Sequence, residues 1–145
     1  MYARRGAAYG ENDLGDTYVE LDLTAQHLWY YKDGALLMDS DFVSGTYYNY
    51  GRRTPGGTYT LKAKQRNQVL RPAPNEDGSY DYESPVSYWM PFNGGIGLHD
   101  ASWRSKFGGT LYQTGGSHGC INLPPQKAPA LYDLVYKGIP VLCTP

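Results

Sequence analysis

Turn-forming residues set the grain of this chain. It carries 18 Gly and 10 Pro, together 28 of 145 residues. Gly opens backbone conformations closed to other residues, and Pro fixes φ and removes a donor. Short elements joined by many turns are therefore expected. No apolar run exceeds four residues, as at 28–31 and 35–38. Neither a transmembrane helix nor a signal peptide is expected within these residues. A net charge of −1 gives no electrostatic case for nucleic acid. At 145 residues the chain is one domain's worth, able to bury a core without disulfide or metal staples.

Residues 1–16 show no apolar period and read as a linker or tail; residues 17–145 read as the folded domain. Val19, Leu21 and Leu23 alternate with Glu20 and Asp22, the pattern of a half-buried strand. Residues 26–32 and 35–44 form a second and third strand around Asp33-Gly34, a strong hairpin signal. A Gly- and Tyr-rich loop fills 45–57, and 58–62 alternates again. Residues 71–83, with two Pro and four acids, are an exposed loop or a decorated hairpin tip, and either a substrate lid or a mobile loop. Residues 84–90, 96–99 and 139–143 read as short strands. One helix is expected over 126–137, with Ala128, Leu131, Leu134 and Val135 on its core face, Pro129 in its first turn and Gly138 as its stop. The fold class is mainly β with one packed helix.

Charge is uneven. Between Phe42 and Asn75 there is no acid but six basic residues: Arg52, Arg53, Lys62, Lys64, Arg66 and Arg71. Solvated strand faces account for them; gathered on one face, they would suit an anionic polymer.

The chemistry is concentrated in Ser117-His118-Gly119-Cys120-Ile121-Asn122, preceded by Gly97-Leu98-His99-Asp100. A thiol is a weak nucleophile until deprotonated, and an imidazole can take its proton and return it to a leaving amine. An activated Cys120 is expected to alkylate well below about pH 8. Gly119 permits a tight turn that exposes the sulfur and aims amide N–H groups at a developing oxyanion.

These residues resemble the L,D-transpeptidase catalytic domain, or YkuD, family. Its signature is a His, a spacer, then Ser/Thr-His-Gly-Cys, an apolar residue and Asn. Here His99 is followed by 17 residues and then the complete six-residue motif. Thr54-Pro55-Gly56-Gly57-Thr58-Tyr59 resembles another family segment, and the resemblance spans about residues 17–143. Residues 84–90 and 117–125 resemble the Gram-positive branch.

The resemblance implies mixed sheets forming an open β-sandwich or barrel with one packed α-helix. It implies Cys120 as nucleophile on the third residue of a peptidoglycan stem, releasing the terminal D-Ala. His99 is implied as base and then acid. A second stem's amine takes the acyl group, giving a cross-link between third residues. Backbone N–H groups of Gly119 and Cys120 are the oxyanion candidates. The carbonyl of Asp100, or a group of Ser117, would orient His99. Ser117 and Asn122 would hold the loop, and Tyr88 and Trp89 would line the cleft. Peptidoglycan stem peptides are the implied partners and carbapenems the implied inhibitors. No cofactor or metal is needed. The implied address is extracellular, at the cell wall, with the full-length protein exported or membrane-anchored.

Several alternatives stay open at this level. His118 can compete with His99 as base. His99, His118 and Cys120 have the ligand types for zinc, without its usual spacing. Cys143 reads as core, with a disulfide to Cys120 the alternative. Water as acceptor would make a carboxypeptidase, and loss of catalysis would leave a wall-binding module.

Overall fold

The structure, a computed structural model, describes residues 15–145. The linker expected at 1–16 therefore falls almost wholly outside the described residues. Asp16 joins the first hairpin, its carbonyl accepting the Gly34 N–H at 2.9 Å.

Strand β1 (Tyr18–Asp22) pairs antiparallel with β2 (His27–Lys32), which pairs with β3 (Ala35–Asp41). Asp33 and Gly34 join β2 to β3 with φ of 51° and 81°, the left-handed pair that a tight hairpin turn requires. Strand β9 (Pro140–Thr144) returns parallel to β1, and β4 (Gly57–Thr60) pairs antiparallel with β9. The order is β3-β2-β1-β9-β4. A second sheet runs β5 (Gln65–Leu70), β6 (Ser84–Asn93), β7 (Ile96–Asp100), β8 (Ile121–Leu123), with β7 and β8 parallel. Each sheet thus mixes parallel and antiparallel pairs. Residues 71–83 form the tip between β5 and β6, which settles the hairpin reading of that segment.

The core is shared by Val19, Leu21, Leu28, Tyr30 and Val141 of the larger sheet and Met90, Phe92, Leu98 and Ile121 of the smaller. Helix α2 (Lys127–Leu134) closes it with Ala128 and Leu131. The helix is shorter than its sequence pattern suggests. Val135 turns extended (ψ 164°), stays buried, and leaves Leu134 exposed. The Gly138 N–H then docks on the Leu61 carbonyl at 2.8 Å and starts β9. Pro129 sits in the first turn, where its missing N–H would have no helical partner anyway. A second helix, α1 (Leu111–Gly115), corrects the expectation of one. None of its residues is buried, so it carries no apolar stripe to announce it.

Strand β1 is buried along its whole length, Glu20 and Asp22 included, rather than half-buried. It lies between β2 and β9, and a second cluster of Tyr18, Trp29, Tyr31 and Leu142 accompanies the main core. The Asp22 carboxylate ties down the next turn, accepting the N–H groups of Thr24 and Ala25 at 3.0 and 2.9 Å.

Candidate active site

Parallel pairing of β7 with β8 brings the two halves of the motif together. The register sets His99 beside Asn122, so Cys120, just before β8, reaches the same end of the sheet. Both line one cleft of about 480 Å³. The hairpin forms a wall of it with Gln68, Leu70, Tyr82 and Trp89.

The turn that presents Cys120 is braced from several directions. Gly119 has φ +138°, a conformation L side chains rarely adopt. Ser117 Oγ donates to the Cys120 carbonyl at 2.5 Å and accepts the Gly119 N–H at 3.0 Å. Thr54 Oγ1 donates to the Gly119 carbonyl at 2.6 Å and accepts the Gly45 N–H at 2.9 Å. Residues 43–45 cover the free edge of β8: Val43 and Asn122 exchange backbone bonds of 3.0 and 2.8 Å, and the Ser117 N–H reaches the Ser44 carbonyl at 2.9 Å. Ser117 thus holds the turn through its side chain, whereas Asn122 does so through its backbone, its buried Oδ1 having no protein partner. Of the two oxyanion candidates, the Gly119 N–H is already committed to Ser117. The Cys120 N–H is the one left available.

His99 Nδ1 lies 2.8 Å from the Asp100 carbonyl. A carbonyl only accepts, so Nδ1 carries the proton and Nε2 keeps its lone pair. The Asp100 carboxylate faces elsewhere, accepting the N–H groups of Ser87 and Tyr88 at 2.9 and 2.8 Å. His99 is flanked by Trp89 and Trp103, ring centroids 6.0 and 5.8 Å away. His118 packs edge-on against Tyr82 at 4.4 Å and has no orienting hydrogen bond of this kind.

Burial lowers the proton affinity of His99; the Asp100 carbonyl and carboxylate oppose it, and Arg104 adds to it. Burial pushes the Cys120 thiol up, partly offset by the Gly97 N–H. Sγ donates to the Gly95 carbonyl at 3.4 Å. Burial thus acts against the low thiol pKa expected from the motif. Burial likewise lowers His118, helped by Arg52 and opposed by Asp81. Cys143 is buried in β9, unbonded to Cys120, its thiol pushed up to about 12 by burial. Among the described residues no three His, Cys, Asp or Glu side chains gather as metal ligands would.

Residues 16–143 match the L,D-transpeptidase catalytic domain family, YkuD. The chain belongs to that family. It is similar to a crystal structure of an Enterococcus faecium L,D-transpeptidase mutant, at 44% identity and TM-score 0.80, over 90% of this chain and 50% of that one. The E. faecium catalytic domain acylated by ertapenem is 46% identical, TM-score 0.74, over 88% of this chain and 96% of that one. An L,D-transpeptidase from Mycobacterium smegmatis is 27% identical, TM-score 0.72, over 90% and 59%. The chain spans about half the length of the first of these. No curated protein matches the sequence.

The sequence-based site needs one correction within this fold. Trp89 lines the Cys120 cleft, but Tyr88 does not. Neighbours on a strand point to opposite faces. Tyr88 instead stacks against Tyr132 at 5.2 Å, with the Arg66 guanidinium 4.1 Å over its ring. Other basic residues also lie over rings: Arg53 over Tyr47, Arg71 over Tyr80, and Lys64 over Tyr132, which Arg66 shares. Sequence reasoning missed Thr54, Tyr82, Trp103 and Arg104 as site residues. Thr54 had a signal, since it opens the second family segment. The other three are placed only by tertiary pairing.

Proposed function

We propose that this domain is a peptidoglycan L,D-transpeptidase in which Cys120 is the nucleophile and His99 the base. The reading is carried by the Nδ1 bond of His99 to the Asp100 carbonyl, which leaves Nε2 unprotonated on a side chain that lines the same cleft as Cys120. Sγ attacks the carbonyl of the third stem residue while its proton passes to Nε2. The Cys120 N–H meets the developing oxyanion. The amide C–N bond breaks, Nε2–H protonates the leaving D-Ala amine, and a thioester remains. An acceptor amine attacks that thioester, its proton passing through Nε2 back to Sγ. One amide is exchanged for another, so no external energy source is required. The substrate places the protein outside the cytoplasmic membrane, at the cell wall, exported or membrane-anchored. Carbapenems acylate Cys120, a reading supported by the ertapenem-acylated relative.

Product mass spectrometry on purified disaccharide-tetrapeptide tests this directly. The wild type should yield a dimer lighter than two monomers by one D-Ala, and Cys120→Ala should yield none. Retained turnover in Cys120→Ala would refute the assignment. Tripeptide monomer alone would show water, not an amine, as the acceptor.

A further inference from the structure

Arg104 lies in the connection from β7 to α1 and lines the cleft with Cys120 and His99. Its Nη1 donates to the Gly115 carbonyl at 3.0 Å, which fixes the guanidinium at the cleft wall. Its Nε is buried with no hydrogen-bond partner. No carboxylate among the described residues pairs with it. Among the described residues the ion pairs are His27 with Asp39 and Asp41, and Arg71 with Glu83. A half-buried guanidinium without a counter-charge is unfavourable, and burial lowers its proton affinity. Arg71, the other cation of the cleft, is already answered by Glu83 at 3.5 Å. One uncompensated guanidinium therefore lines the cleft that holds Cys120 and His99, and a carboxylate is the anion it fits.

We propose that Arg104 is a carboxylate-binding subsite that grips the free terminal α-carboxylate of the residue leaving the donor stem. This rests on the transpeptidase reading above and adds the recognition of the leaving group. In an amino-acid leaving group the amine and the carboxylate are carried by the same carbon. A residue that protonates the amine and one that holds the carboxylate must therefore be close neighbours, as His99 and Arg104 are. The subsite makes the enzyme exo-acting: a stem extended by one further residue presents an amide where the carboxylate should be. The bound carboxylate also offsets the Arg104 charge that weakens His99 as a base, at the moment His99 must accept a proton.

The test compares two donors with the complete chain: a tetrapeptide stem with a free terminal carboxylate, and the same stem as its carboxamide. Wild type should prefer the acid by roughly 10- to 100-fold in kcat/KM, the range of a hydrogen bond to a charged group. In Arg104→Gln the ratio of the two rates should fall to about one, whatever the change common to both donors from His99 losing a neighbouring charge. Arg104→Lys should keep part of the preference, as a point charge without the fork. A wild type that turns over both donors equally would overturn the proposal without any variant. So would an Arg104→Gln enzyme that keeps the acid preference, or one that slows both donors equally, which would mark Arg104 as a brace for Gly115. Turnover of neither donor by wild type would refute the transpeptidase reading itself, and this inference with it.

Discussion

Replacing Thr54 by Val keeps the side chain's shape and deletes one hydroxyl. That hydroxyl is buried and satisfies two backbone groups at once, the Gly119 carbonyl at 2.6 Å and the Gly45 N–H at 2.9 Å. Val can satisfy neither. A buried polar group left unpaired costs about 1–3 kcal/mol, so the pair together should cost roughly 2–6 kcal/mol. Total stability for a domain is about 5–15 kcal/mol, so this is a large fraction. At roughly 2–4 °C per kcal/mol for a chain near this size, the melting temperature should fall by about 4–24 °C. The Gly119 carbonyl belongs to the turn that aims Cys120, so acylation by a carbapenem should slow as well. Thr54→Ser keeps the hydroxyl and loses only a methyl, and should stay within about 1.5 kcal/mol of wild type. Thermal melts and intact-mass acylation rates on the three proteins decide the matter. A Thr54→Val melt within about 2 °C of wild type would refute the accounting, by showing that both groups find other partners.

Two further perturbations probe the same region. A Cβ on Gly97 would stand 2.6 Å from the Pro91 Cα and 2.7 Å from the Met90 carbonyl oxygen, both backbone. Gly97→Ala should therefore force β6 and β7 apart, at roughly 1–3 kcal/mol, read as a lowered melting temperature; an unchanged melt would refute the contact. Burial raises the Cys120 thiol, so less thiolate is present at neutral pH. Alkylation by iodoacetamide should climb only above the ordinary thiol value of about 8.5, and a midpoint below pH 7 would show that pairing with an imidazolium outweighs burial.

What could be read from the sequence follows from where the deciding information lies. The first hairpin was legible because its alternation and Asp33-Gly34 turn are local. Strand β5 was not. Most of Gln65–Leu70 is polar and exposed, and only pairing with β6 makes it a strand. Helix α1 had no apolar face to show. The end of α2 was misjudged because docking of Gly138 on Leu61, far away in sequence, overrides a pattern that would continue the helix. The proposed reacting pair was legible because motif and spacing name Cys120 and His99 directly. Their surroundings were not, since Arg104 lines the cleft and Trp103 packs on His99 from the connection after β7. The mistaken pairing of Tyr88 with Trp89 was avoidable from strand geometry alone.

The flanking of His99 by two indoles has an optical consequence. The chain has three tryptophans, and two of them, Trp89 and Trp103, stand against this one imidazole. The third, Trp29, belongs to the cluster on the larger sheet and packs against His27, ring centroids 4.7 Å apart. Indole emission responds to a neighbouring imidazole gaining a proton and to displacement of nearby solvent. Two of the three indoles therefore stand beside His99, so occupancy of the cleft can be followed at fixed pH in the unlabelled protein.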